Sequence, residues 1–105
     1  MSEVIDYWGK ITGFRKDEIE EIQNVCSDFQ NAEITRIDEK SIEFQVAGGW
    51  RGAGQSCEEL IKEGFSNLAI KKPHLKIEVY CTYVEHSPVE VFTLENDKIS
   101  SMFNS

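Results

Sequence analysis

The sequence is short of positive charge, has no closely paired cysteines and contains no long apolar run. Lys and Arg number 11 against 19 Asp and Glu, so the formal net charge is −8 and the sequence pI about 4.7. Proteins that grip a phosphate backbone concentrate Lys and Arg to displace counterions, so this balance argues against direct nucleic-acid binding. The three cysteines, Cys26, Cys57 and Cys81, form no CxxC pair, and each falls on an apolar stripe. That pattern suits small core hydrophobes in a reducing compartment rather than a disulfide framework. No run approaches the length of a membrane span, and MSEVIDYW has neither a basic start nor a continuous apolar stretch. The expectation is a soluble, cytoplasmic chain with no membrane role.

Recognisable catalytic sets are missing too. No Ser-His-Asp set and no cysteine beside a base stands out by spacing. His74 and His86 flank one predicted strand at opposite ends, which keeps them from sharing a metal or acting as one acid-base pair, and leaves them as turn residues. No cofactor or metal is expected, and the chain reads as non-enzymatic.

What is present is a regular alternation of patterns over 105 residues, a length that fits a single domain spanning 1–105. Ile5, Tyr7 and Ile11 alternate with Asp6, Trp8 and Lys10, the period of a half-buried strand. Ile19, Ile22, Val25, Cys26 and Phe29 then follow at helical spacing, with Asp17, Glu20, Glu21, Asn24 and Asp28 on the other face. Residues 32–37 and the alternating Ile42, Phe44 and Val46 flank Asp38-Glu39-Lys40 as a hairpin. Ser56 and Glu59 form a capping box before Cys57, Leu60, Ile61, Phe65 and Leu68, and Pro73 ends that helix. Leu75, Ile77, Val79, Cys81 and Tyr83 make the clearest strand pattern, expected to be central, and residues 89–94 and 99–103 read as added strands. The order β-α-β-β-α-β plus one or two strands predicts an α+β fold of ferredoxin-like type, with two helices on one face of an antiparallel sheet.

Several features point outward from that frame. Residues 48–56, GGWRGAGQS, read as a glycine-rich turn between strand and helix, one residue from a phosphate-binding loop. Gln55 stands where that loop carries lysine, so only generic anion affinity at a helix start is left, and a flexible connection is the plainer meaning. Trp50 and Arg51 at its tip are residue types that anchor interfaces, or they fold back onto the chain. Trp8, Tyr80 and Phe92 are placed on the sheet face away from the helices, beside Asp6, Glu78 and Glu90. RNA-recognition domains stack bases on such a face, but the basic aromatic pattern is missing here. Pairing with a protein, including a homodimer through sheet faces, is the functional reading, and partial cover by the C-terminal segment the alternative.

The carboxylates of the first helix, Asp17, Glu20, Glu21 and Asp28, continue through Glu33, Asp38, Glu39 and Glu43. A solvated helix face is the common meaning of such a run. The sharper one is mimicry of phosphates in the basic groove of a nucleic-acid-handling partner, where complementary charge speeds encounter.

YWGKITG (7–13), FQVAGGW (44–50) and PHLKIEVY (73–80) resemble a small ferredoxin-like domain of uncharacterised phage and mobile-element proteins. Where that family has a proline-containing turn after the loop tryptophan, this chain has Arg51-Gly52-Ala53-Gly54. The resemblance implies a fold and a phage-like setting, in which small acidic proteins block host machinery; it supplies no catalytic residue. The combined expectation is an inhibitor of a basic partner such as a host-defence complex, in the manner of an anti-CRISPR, or a nuclease toxin. An anion-binding domain centred on the glycine loop and a self-associating module are the alternatives.

Overall fold

The computed structural model describes the backbone of residues 3–51, 55–83, 89–96 and 98–104, and the side chains of 5–49, 55–82, 89–96 and 98–101. Strand β1 (Glu3–Thr12) leads through a 3-10 turn (Lys16–Glu18) into helix α1 (Ile19–Asp28). Strands β2 (Glu33–Ile37) and β3 (Ser41–Arg51) follow, then helix α2 (Cys57–Lys71) and strands β4 (Lys76–Tyr83), β5 (Val89–Glu95) and β6 (Lys98–Asn104). All pairings are antiparallel, in the order β2-β3-β1-β4-β5-β6. The fold is therefore α+β, with two helices and a six-stranded antiparallel sheet, and β4 lies in its interior as its pattern predicts.

Period-two patterning decides which sheet face is buried. Ile5, Tyr7 and Ile11 of β1, Ile42, Phe44 and Val46 of β3, and Ile77, Val79 and Cys81 of β4 are all buried. They form one cluster with Ile22 and Cys26 of α1 and Ile61, Phe65, Leu68 and Ala69 of α2. Its centre is aromatic: Phe29 meets Tyr7 edge-on at 5.2 Å and Phe65 at 5.1 Å, and Phe65 stacks on Phe44 at 5.4 Å. Gly9 makes room for this group, because a Cβ there would run into the Phe44 ring and lie 2.6 Å from the Glu78 carbonyl oxygen.

Local chemistry sets the helix ends. The 3-10 turn closes on a bond from Glu18 N–H to the Arg15 carbonyl (2.9 Å), and Arg15 N–H donates to Glu18 Oε1 (2.7 Å). Gln30 and Asn31, with φ of 50° and 56°, turn the chain out of α1 in the left-handed region that Asn tolerates. Ser56 caps α2 as predicted, its Oγ accepting from Glu59 N–H at 3.1 Å.

Two sequence expectations need correction. Residues 48–51 are not loop: β3 continues through Arg51, with Gly49, Trp50 and Arg51 paired to Ile5, Val4 and Glu3. A bulge makes this possible, as Ala47 and Gly48 fall between the Tyr7–Val46 and Ile5–Gly49 pairs. Gly48 takes φ +72°, and its N–H donates to Asp6 Oδ1 at 2.8 Å. Phe92 is the second correction. It pairs with Val79, is 2 % exposed and belongs to the core, while Val91 takes the position beside Tyr80. Glu90 likewise pairs with Cys81 on the helix-side face. β5 carries apolar residues on both faces, Val89 and Val91 on one and Phe92 and Leu94 on the other, so its pattern alone leaves the orientation open.

Candidate functional site

Charged side chains gather where the start of α1 meets the end of α2. Glu18 is the one buried charged residue among those described. Lys72 Nζ donates to its Oε2 at 2.9 Å, and His74 Nε2 lies 2.8 Å and 3.0 Å from its two oxygens. The Lys72 and His74 hydrogen bonds outweigh burial and hold the Glu18 carboxyl well below its ordinary range, at about 2. Next to it, Lys71 Nζ sits 3.2 Å from Glu21 Oε2, and Lys72 Nζ 3.6 Å from Glu21 Oε1. These bonds tie the two helix ends together, and every oxygen of Glu18 is engaged by the chain itself. The cluster is a structural clasp. Sequence reasoning missed it because Lys72 and His74 lie more than fifty residues from Glu18 and no local spacing joins them.

The clasp divides the predicted acidic surface. Glu21 is taken up by Lys71 at the end of α2 and Lys72 just beyond it, the Lys71 hydrogen bond foremost in lowering its pKa, whereas Asp17, Glu20 and Asp28 are exposed and make no ion pair among the described residues. At the hairpin, Asp38 accepts from the backbone N–H groups of Lys40 and Ser41 and from Arg36 Nε at 3.0 Å. Those bonds lower its pKa, the backbone donors foremost. Arg36 also lies 3.8 Å from Glu43, while Glu39 is exposed at the tip.

The hairpin tip and the start of α1 flank one groove of about 520 Å³, lined by Phe14, Lys16, Ile19, Ile37, Asp38 and Glu39. Ile37 is 44 % exposed, so the groove offers an apolar floor, with Asp38, Glu39 and Lys16 as its charged rim. Of the predicted acidic residues Glu39 lines this groove, while Asp17 in the 3-10 turn and Glu20 in α1 are exposed and adjoin its lining residues Lys16 and Ile19 in sequence. Asp28 lies at the far end of α1, beside a second groove shared with Val25, Leu60 and Glu63.

On the opposite sheet face Trp8 and Tyr80 stack, with ring centres 5.7 Å apart and planes 8° from parallel. The row Gln45–Trp8–Tyr80–Val91–Met102 crosses five strands in register. Lys10 stands between Glu43 and Glu78 in the next row. Burial, then the Glu78 carboxylate, raises the Tyr80 phenol pKa. Two of the three residues assigned to this face, Trp8 and Tyr80, are thus together on it, and Phe92 is not.

Trp50 and Arg51 are placed by their backbone at the end of β3, not on a free loop; their side chains, Gly52 to Gly54 and His86 lie outside the described residues. The phosphate-loop resemblance loses its context as well, because residues 48–51 are strand and β3 runs antiparallel to both neighbours. Cys26, Cys57 and Cys81 are buried and form no disulfide among the described residues, and burial pushes the Cys26 thiol up to about 12. Tyr7 lies beside Cys57 and Cys81, its phenol pushed up chiefly by burial. Among the described residues no group of three His, Cys, Asp or Glu is arranged to hold a metal, and no helix is long and apolar enough to cross a membrane. No family model, curated protein or solved structure matches the chain.

Proposed function

We propose that this chain is a small acidic, non-enzymatic binding protein that inhibits a basic, nucleic-acid-handling protein partner, of the kind found in a host-defence complex or a nuclease toxin. The observation that carries the reading is the groove between the hairpin tip and the first turn of α1. Its floor is apolar, Glu39 stands on its rim, and Asp17 and Glu20, next in sequence to the lining residues Lys16 and Ile19, are exposed; none of the three makes an ion pair among the described residues. A partner's Arg or Lys can lay its aliphatic stem on Phe14, Ile19 and Ile37 while its head meets those carboxylates. Set on a helix and a hairpin held by a packed core, they can occupy a phosphate-shaped groove without the ordering cost of a flexible acidic tail.

The fold assignment is part of this proposal. The first six elements, with the order β2-β3-β1-β4, support a ferredoxin-like core; β5 and β6 continue the sheet past β4 and depart from a four-stranded plan. A phage or mobile-element setting rests on the sequence resemblance alone. Three buried cysteines that form no disulfide among the described residues support a reducing, cytoplasmic environment.

The test is affinity capture at low salt, where charge-driven contacts are strongest. A basic nucleic-acid-handling protein is expected on the wild-type chain, displaced by added duplex DNA. The Asp17→Lys, Glu20→Lys, Glu39→Lys variant should bind it roughly tenfold or more weakly. Capture that DNA does not displace and that the triple variant retains would sink the reading.

A further inference from the structure

The two edges of the sheet are built differently. β2 is short, and a bulge at Thr35 interrupts its pairing with β3 between Ile34 and Arg36. The charged Glu33 and Arg36 on the strand, with Asp38, Glu39 and Lys40 just beyond it, add the devices that keep an edge from pairing with another chain. β6 is longer and carries no bulge against β5. It pairs with β5 through seven consecutive residues, Lys98 to Asn104, without a register shift. It contains no proline, and its one charged residue is Lys98 at its start. Every other strand carries at least one carboxylate and β6 carries none. For a molecule of charge −8 this is the edge that a second copy can approach with least repulsion.

We propose that β6 pairs antiparallel with β6 of a second copy about a two-fold axis, joining two six-stranded sheets into one. A strand pairs with itself in this way without a new complementary surface, because an isologous contact uses the same patch twice. With the axis at Ser101, the centre of the strand, Lys98 meets Asn104 and not its own counterpart, and Ser101 meets Ser101. By register, positions 99, 101 and 103 of both strands share the helix-side face, since Ile99 pairs with Leu94 and Ser101 with Phe92. α2 packs over β4 and β5, and Ser101 beyond it is exposed, so this face of β6 has room for the partner's strand. Ile99, half-buried and packed on the core rim, gains apolar cover from the junction.

The experiment is the mass of the full chain in solution from about 1 μM to about 1 mM, a range that spans ordinary dimer affinities, with amide exchange followed alongside. A doubling of mass is expected, with protection of residues 98–104 rising with concentration. Ser101→Asp places like charges directly opposite at the axis and should weaken the dimer roughly tenfold or more; Thr35→Asp on the other edge should leave it unchanged. Ser101→Cys should cross-link on mild oxidation, whereas Lys98→Cys should not, its two copies standing about 20 Å apart. A single-chain mass at the highest concentration overturns the proposal, as does a dimer indifferent to Ser101→Asp or lost instead in Trp8→Ala, which would place the contact on the open sheet face.

Discussion

Glu18 shows how one residue can hold two helices in place while looking in sequence like a generic helix-start acid. Its carboxyl is buried, yet Lys72, His74 and Arg15 N–H surround it, so the charged form is the stable one in the folded chain. The folded-state pKa of about 2 lies below the ordinary 4.5, so as pH falls the unfolded chain takes up a proton first. The stabilisation is complete above about 4.5 and is lost progressively toward 2. Glu18→Gln, which keeps the shape but removes the charge, should cost about 1–3 kcal/mol at neutral pH. That difference should shrink in urea unfolding curves as the pH is lowered through the same window; a difference constant with pH would mean that the charge contributes nothing. Glu21, whose side chain is 40 % exposed, also has two lysine partners, but solvent screens pairs of that kind and little stability depends on it.

At the scale of elements, legibility followed the physics that is local. The amphipathic stripe of α1, the Ser56 cap, the Pro73 stop and the long alternation of β4 depend on neighbours in sequence, and all lie where their patterns place them. What was not legible depends on partners brought from elsewhere. Glycines at 48 and 49 read as a turn, but the edge of β1 that faces β3 runs on through residues 3–5 and β3 continues alongside to pair with it. The face of Phe92 is decided by its register with Val79, which a strand apolar on both faces does not announce. The candidate groove combines Phe14 and Ile19 with Ile37, so it exists only once the β2–β3 hairpin lies beside α1. The bulge offers a sharp check. A Cβ at Gly48 would meet nothing within 4 Å, so the cost of Gly48→Ala is that of a left-handed backbone alone, about 1–2 kcal/mol. Gly48→Asn should cost less, because Asn tolerates that region. Equal losses in thermal unfolding would show that the bulge is not what the substitution strains.

For the whole molecule, net charge and sheet edges act in opposite directions. The charge of −8 was plain in the composition, but its distribution was not: the clasp consumes Glu18 and Glu21, while β6 is left without a carboxylate. The two proposed contacts therefore carry opposite signs of electrostatic energy. Binding a basic partner gains attraction that dissolved ions screen, so it should weaken as salt rises. Joining two copies brings together two bodies of like charge, and the same screening removes a repulsion, so the β6 dimer should tighten as salt rises. The Debye length falls from roughly 30 Å at 0.01 M to about 8 Å at 0.15 M, so most of both changes should occur within that range. Measuring dimer mass and partner affinity on one preparation across it separates the two surfaces without any mutation. If both interactions weaken together, the self-contact is held by charge pairs between copies and not by backbone pairing at an edge free of carboxylates.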